Sequence, residues 1–214
     1  LADSDVETVT RQVILKKKAT HEKHVKDLLE KCAGEVSRHL KESRIGPKPE
    51  DDEVIIADYP LLPVRRRFWE AVLRQIDTAG TEAQLRSQLR LVYEAVRQTS
   101  KLDLGNVVSA DFIFDQNATA MVQNGVLPKE INEIVVKLND GSTDGKLASQ
   151  LCALIFLIGT LPHDGPGDPR IRATEESLAD LLVTDIKAGS AGLRTKIPAL
   201  LKKLVDEAKV MKIG

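Results

Sequence analysis

The chain has 214 residues, of which 42% are apolar and 29% charged, a composition that excludes intrinsic disorder and suffices for a buried core. The formal net charge of −1 excludes attraction to nucleic acid or membranes by bulk charge, so only a local patch could bind them. Aromatic residues make up 3% of the chain, too few for the stacking platforms that bind single-stranded nucleic acid.

Residues 1–46 are predicted to form an N-terminal helical segment. Val25, Leu29 and Val36 lie on one apolar stripe at helical spacing. Residues 47–58 follow as an acidic linker that begins with prolines and contains a candidate short strand at Val54–Ile56.

Residues 59–140 are predicted to form a helical domain. Pro63 is well placed to begin a helix that buries Trp69. Thr81 begins the next helix with a capping-box pattern, and Pro128 begins another.

Residues 141–214 have the order of elements of a winged helix that is truncated before its wing. A long apolar helix, about Gly145–Leu161, precedes a short helix that Thr174 caps, and a third helix follows the glycine turn Gly189–Gly192. Val210–Ile213 is predicted to begin the wing strand.

The segment Gly141–Lys146 is similar to a phosphate-binding loop, but its spacing is one residue short of that motif. Leu147 also stands where the motif needs a magnesium-binding hydroxyl. A turn followed by a helix start is the better interpretation.

No catalytic residue and no metal site is predicted. His21 and His24 can share a helix face, but the lysines around them repel a cation and no third ligand is near. Cys32 and Cys152 lie far apart on apolar helix faces, which favours buried free thiols in a reducing compartment, with a disulfide as the alternative.

Three consecutive arginines, Arg65, Arg66 and Arg67, stand near a helix start, where the helix dipole disfavours cations. This placement suggests a partner, either a carboxylate or a phosphate. The favoured interpretation is nevertheless that these arginines are solvated and cover Trp69 with their aliphatic stems.

Arg86 and Arg90 are four residues apart and therefore share one face of the next helix. Both could reach a nucleotide that another domain holds. The alternative is surface pairing with Glu82 or Glu94.

The polar residues of the third C-terminal helix include four cations that are candidates for contact with DNA phosphates. The acidic residues Asp206 and Glu207 follow at once, which favours a structural role or a protein partner. The four candidates are Arg194, Lys196, Lys202 and Lys203.

Four stretches of the chain resemble the large P-loop ATPase of BREX-type phage-defence systems, and the resemblance extends from about Val6 to the end. The stretches are Tyr59-Pro-Leu-Leu-Pro-Val-Arg-Arg-Arg-Phe-Trp69, Gly80-Thr-Glu-Ala-Gln-Leu-Arg-Ser-Gln-Leu-Arg90, Asp111-Phe-Ile-Phe-Asp115 and Leu200-Leu-Lys-Lys-Leu-Val-Asp-Glu207.

The resemblance implies a mostly α fold, with an AAA+-lid-like helical bundle followed by the winged-helix-like domain. It implies that the chain is a non-catalytic part of a longer cytoplasmic ATPase, and both chain ends are expected to be cut from that protein. ATP and magnesium are expected for the longer protein and not for this part. The Tyr-Pro-x-x-Pro pattern and the helix pair after it are also similar to the lids of related prokaryotic ATPases, in which an arginine near the start of the second helix can sense the nucleotide. Glu82 stands at that position here, and Arg86 is the nearest arginine.

The partners that the resemblance implies are the rest of the ATPase, other defence subunits and, as a further candidate, duplex DNA. No membrane partner is expected, because the longest apolar run, Leu151–Ile158, is too short to span a bilayer. The alternative functions are a winged-helix DNA-binding regulator and a protein-interaction scaffold.

Overall fold

Helices form the framework of the chain, and the described residues contain no strand. The computed structural model describes residue 8, residues 10–76 and residues 81–211, with only the backbone of residues 81–85. The mostly α fold class is therefore confirmed. A π-helical turn, Thr10–Ile14, precedes α1 (Ala19–Lys31), α2 (Ala33–Val36), α3 (Asp51–Asp58), α4 (Pro63–Ile76), α5 (Thr81–Thr99), α6 (Phe112–Gln123), α7 (Lys129–Leu138), α8 (Thr143–Gly159), α9 (Glu175–Leu182) and α10 (Ala191–Asp206).

Helix α4 lies at the centre of the apolar core. Its side chains Phe68 and Val72 are completely buried, and the buried Trp69 indole donates a hydrogen bond to the Ala110 carbonyl at 2.8 Å. The same buried cluster includes Leu154 of α8. The core is therefore continuous across residue 141, where the lid-like unit was predicted to end and the winged-helix-like unit to begin.

A stretch between α5 and α6, residues 104–110, is mostly buried and is called here the crossing segment. The Val107 amide donates to the Thr184 carbonyl at 2.8 Å, and the Val108 amide donates to the Pro60 carbonyl at 3.0 Å. Buried backbone groups need such partners. The crossing segment therefore connects the turn before α4 with the turn after α9.

The candidate strand at Val54–Ile56 is wrong, because these residues lie within α3. The acidic residues that were predicted to form a linker occupy the first turn of this helix. Negative charge at this end interacts favourably with the helix dipole and stabilises the helix. The Asp51 carboxylate also accepts a hydrogen bond from the Lys48 amide at 3.0 Å. These local interactions favour a helix and outweigh the preference of Val54 and Ile55 for β-strands.

The predicted order of a long, a short and a third helix in residues 141–214 is confirmed as α8, α9 and α10. The Thr174 side chain caps α9 by accepting a hydrogen bond from the Ser177 amide, as its position predicted. Val210 and Met211 have no strand conformation. The remaining residues of the predicted wing strand lie outside the described part of the chain.

Both cysteines are free thiols, as the favoured interpretation predicted. Cys152 is buried in α8, and burial raises the pKa of its thiol to about 11. Cys32 is half-buried. Within the described residues, no helix is both long enough and apolar enough to cross a membrane.

The segment Gly141–Lys146 forms a turn and the start of α8, as predicted. Ser142 caps the helix by accepting a hydrogen bond from the Gly145 amide at 2.9 Å, and the Asp140 carboxylate accepts from the Ser142 hydroxyl at 2.6 Å. A carboxylate therefore fills the position that a phosphate would need beside these donors.

Gly145→Ala is expected to lower the free energy of unfolding by about 1–3 kcal/mol. The added Cβ would lie 2.1 Å from a carboxylate oxygen of Asp140 and 2.6 Å from the Leu138 carbonyl oxygen, which is fixed backbone. The measurement is urea unfolding followed by circular dichroism.

The matched control is Gly159→Ala at the other end of α8, where a Cβ meets no atom within 4 Å. Because alanine favours helix over glycine, the control is expected to be neutral or up to about 1 kcal/mol more stable. Equal effects of the two substitutions would contradict the packing described at Gly145.

Candidate functional site

Arg65 is a cation in the interior of the chain, with 1% of its surface exposed. Its two terminal nitrogens donate to the main-chain carbonyls of Val108 and of Asp180, the second at 3.2 Å. Burial lowers the pKa of Arg65 to about 10, while the charges of Asp111 and Asp180 oppose this shift. Arg65 is therefore still protonated at neutral pH and joins α4 to the crossing segment and to α9.

The next two arginines of α4 have carboxylate partners. Arg67 forms a bidentate ion pair with Asp51, with nitrogen–oxygen distances of 2.6 and 2.7 Å. Arg66 lies 3.5 Å from a carboxylate oxygen of Asp58. The favoured interpretation as solvated arginines is therefore wrong for all three, and the alternative of a carboxylate partner holds for Arg66 and Arg67.

A set of polar side chains, called here the polar network, lies where α2, α9 and α10 meet, and all of its members except the exposed Arg38 are buried or half-buried. The Asp180 carboxylate accepts from Arg194 at 2.6 Å and from the Leu40 amide at 3.0 Å. The Ser190 amide donates to Glu35 at 2.9 Å. The network consists of Glu35, Arg38, His39, Asp180, Ser190 and Arg194.

This network gives an internal role to Arg194, which was predicted as a DNA contact. Its guanidinium group also donates to the Ser190 hydroxyl at 3.1 Å. Arg194 and Arg65 both contact Asp180, one at the side chain and the other at the main chain. The structure thus brings a predicted DNA contact and a predicted nucleotide contact together at Asp180, where the half-buried Arg194 and the buried Arg65 both connect helices.

His39 is a member of this network for which no role was predicted. It is 2% exposed, and its Nε2 lies 3.2 Å from a Glu35 carboxylate oxygen. Because a carboxylate accepts, Nε2 carries the proton, and Nδ1 is a buried acceptor with no partner in the described residues. The spacing of Glu35 and His39, four residues apart, is the sequence signal that could have indicated this pair.

The environment of His39 favours the neutral ring. Burial, followed by the charge of Arg65, lowers the pKa of His39 to about 4, although Glu35 opposes this shift. Burial raises the pKa of Glu35, but hydrogen bonds from His39 and Ser190 outweigh burial and hold that pKa below its ordinary value. The pair is therefore a neutral imidazole beside a carboxylate at neutral pH.

Arg86 and Arg90 are exposed on α5, which Leu91 and Val92 anchor in the core. Neither arginine forms an ion pair with a described side chain. Glu94, the alternative partner, instead pairs with Arg97 at 2.7 Å. The side chain of Glu82, the other alternative, lies outside the described atoms.

The lysines of α10 lie on a surface of mixed charge. Lys196 is 3.9 Å from Asp144, and Lys203 is 3.9 Å from Glu207. Lys202 is exposed and has no ion pair in the part of the chain that the structure describes. These candidates remain accessible, with acidic side chains among them.

Comparisons of the chain with protein families, with curated proteins and with solved structures find no match. Among the described side chains, those of residues 10–76 and 86–211, no three of histidine, cysteine, aspartate or glutamate are grouped so that they could hold a metal ion. The assignment of function therefore depends on the placement of the arginines and lysines.

His39→Gln is expected to weaken the pH dependence of stability while keeping a donor for Glu35. The folded-state pKa of about 4 lies below the ordinary 6.5. This contribution to stability is therefore fully present above about pH 6.5 and is lost as the pH falls toward 4. The native chain should lose on the order of 2 kcal/mol more than the variant between about pH 6.5 and pH 5. Urea unfolding at a series of pH values measures this difference.

The control is His163→Gln, which changes an exposed histidine and should follow the native curve. Parallel curves for the native chain and the His39 variant would show that His39 does not titrate as described.

Proposed function

We propose that the chain is the non-catalytic, lid-like helical part of a phage-defence ATPase of the AAA+-like P-loop class, and that it couples nucleotide state to assembly. The observation that carries the proposal is the pair Arg86 and Arg90, two exposed arginines one helical turn apart on an anchored helix. The resemblance of residues 59–90 to that ATPase family supports the same assignment.

The internal hydrogen bonds of the other arginines leave fewer candidates for the nucleotide contact. Arg65 donates to two main-chain carbonyls, and Arg67 donates to Asp51 and to the Ile45 carbonyl. A nucleotide would have to break these contacts to recruit either guanidinium group, at a cost of several kcal/mol. Arg86 and Arg90 require no such rearrangement, so we assign the nucleotide contact to them.

The physical role of such a pair is electrostatic. A planar guanidinium group binds phosphate oxygens with two parallel hydrogen bonds and stabilises the charge that develops during phosphoryl transfer. A rigid helix fixes where this charge lies, and a movement of the helical body brings it to the nucleotide or removes it. The phosphate-binding lysine and the magnesium ligands would come from another part of the ATPase.

The winged-helix-like helices are proposed to contact protein subunits of the same assembly. Lys202 and Lys203 are exposed and could also face a phosphate backbone, which makes duplex DNA the second candidate partner. The exposed Asp206 and Glu207 lie beside these lysines and repel phosphates. This mixture of charges favours a protein surface over DNA.

The test is steady-state ATP hydrolysis by the longer ATPase that contains this chain, with the double substitution Arg86→Ala and Arg90→Ala. Loss of both cations from the nucleotide pocket is expected to reduce hydrolysis about tenfold or more. The fold should be unaffected, because both side chains are exposed.

Arg97→Ala is the matched control, since Arg97 is an exposed arginine of the same helix that already pairs with Glu94. It is expected to leave hydrolysis within about twofold of the native rate. Equal rates for the double variant, the control and the native protein would exclude the proposed nucleotide contact.

A further inference from the structure

Tyr93 is an exposed aromatic residue of α5 that lies close to the proposed nucleotide contact. Its side chain is 53% exposed. The other six aromatic residues are buried or half-buried and are Tyr59, Phe68, Trp69, Phe112, Phe114 and Phe156. A single exposed apolar group is common on protein surfaces, so the significance of Tyr93 depends on its neighbours.

Tyr93 belongs to a row of four exposed side chains on α5, called here the arginine–tyrosine stripe. Its members are Arg86, Arg90, Tyr93 and Arg97. Their spacings of four, three and four residues place them on one face of the helix. Ala95, which is 1% exposed, lies on the opposite face and packs in the core. The stripe therefore faces solvent and is open to a ligand.

The cationic part of the stripe lies on the N-terminal side of Tyr93. Arg97, on the C-terminal side, pairs with Glu94 at 2.7 Å. Arg86 and Arg90 form no ion pair with a described side chain. Because long side chains on a helix lean toward its N-terminus, we expect the Tyr93 ring to cover the surface beside Arg90. The ring and the two guanidinium groups thus form one continuous surface.

The spacing of this surface fits a nucleotide. At a rise of about 1.5 Å per residue, Tyr93 lies about 5 Å from Arg90 and about 10 Å from Arg86 along the helix axis. In an extended nucleoside triphosphate, the ribose separates the base from the phosphate chain by a distance of the same order. An aromatic ring offers its face to a base, and guanidinium groups offer parallel hydrogen bonds to phosphate oxygens. One nucleotide can therefore contact all three side chains.

We propose that Tyr93 stacks on the base of the nucleotide whose phosphates contact Arg86 and Arg90. This inference rests on the proposed function and adds a contact that the phosphates do not provide. Every base has a π face, so stacking strengthens binding without selecting one base over another. A carboxylate-rich peptide would also engage the arginines, but its contacts would not depend on a planar ring at residue 93.

The experiment compares two ligands, of which only one contains a base. The longer ATPase that contains this chain is titrated, with magnesium present, with a non-hydrolysable ATP analogue and with inorganic tripolyphosphate. Tyr93→Leu is expected to weaken binding of the ATP analogue by about fivefold or more, because the stacking contact is lost. Tripolyphosphate has no base, so its affinity should stay unchanged. Isothermal titration calorimetry measures both dissociation constants.

Two further variants identify the ring as the cause. Tyr93→Phe keeps the aromatic face and should bind the ATP analogue within about twofold of the native protein. Gln98→Leu changes an exposed residue of α5 outside the stripe and should have no effect. If Tyr93→Phe bound as weakly as Tyr93→Leu, the proposal would be overturned. Equal losses for both ligands in Tyr93→Leu would also overturn it.

The double substitution Arg86→Ala and Arg90→Ala separates failure of this inference from failure of the proposed function. It should weaken the binding of both ligands, since both contain phosphates. If it does so while Tyr93→Leu binds the ATP analogue as tightly as the native protein, the base contact is wrong and the nucleotide contact of the arginines stands. If it leaves both affinities unchanged, the proposed function fails, and this inference fails with it.

Discussion

The guanidinium group of Arg65 is the contact on which the arrangement of the helices depends. Removal of a cation from water carries a large cost, so a buried cation persists only where acceptors surround it. Arg65 finds these acceptors in the carbonyls of Val108 and Asp180, which belong to the crossing segment and to α9. Two parts of the chain that were predicted to be separate units are therefore joined through one side chain of α4. The apolar core follows the same path, with Val72 and Leu154 in one cluster.

The need of a buried cation for internal acceptors also separates the cations that stabilise the fold from those that remain available for a partner. Arg65, Arg67 and Arg194 are engaged by internal acceptors, whereas Arg86, Arg90 and Lys202 face solvent. An exposed cation on an anchored helix can bind a phosphate without disturbing the core. The proposed nucleotide contact therefore lies on α5, and the helical body behind it supplies rigidity.

Most helices could be predicted from the sequence because their signals are local. Pro63 and Thr174 mark helix starts, and both begin or cap helices as expected. Helix α3 was missed because its β-branched residues suggested a strand, although the charges of its first turn favour a helix. Helix α6 was not predicted either, because the apolar residues of the crossing segment run directly into it. No strong helix-start motif separates the two. The polar network depends on contacts between residues distant in sequence, such as Leu40 with Asp180, and no local pattern reveals them.

The most direct test of this account is the free energy of unfolding of Arg65→Met, compared with that of Arg86→Met. The first variant removes a buried cation and leaves the carbonyls of Val108 and Asp180 without a donor, so we expect a loss of about 3 kcal/mol or more. The second changes an exposed arginine and should stay within about 0.5 kcal/mol of the native chain. An Arg65→Met variant as stable as the native chain would contradict the central role given to this contact.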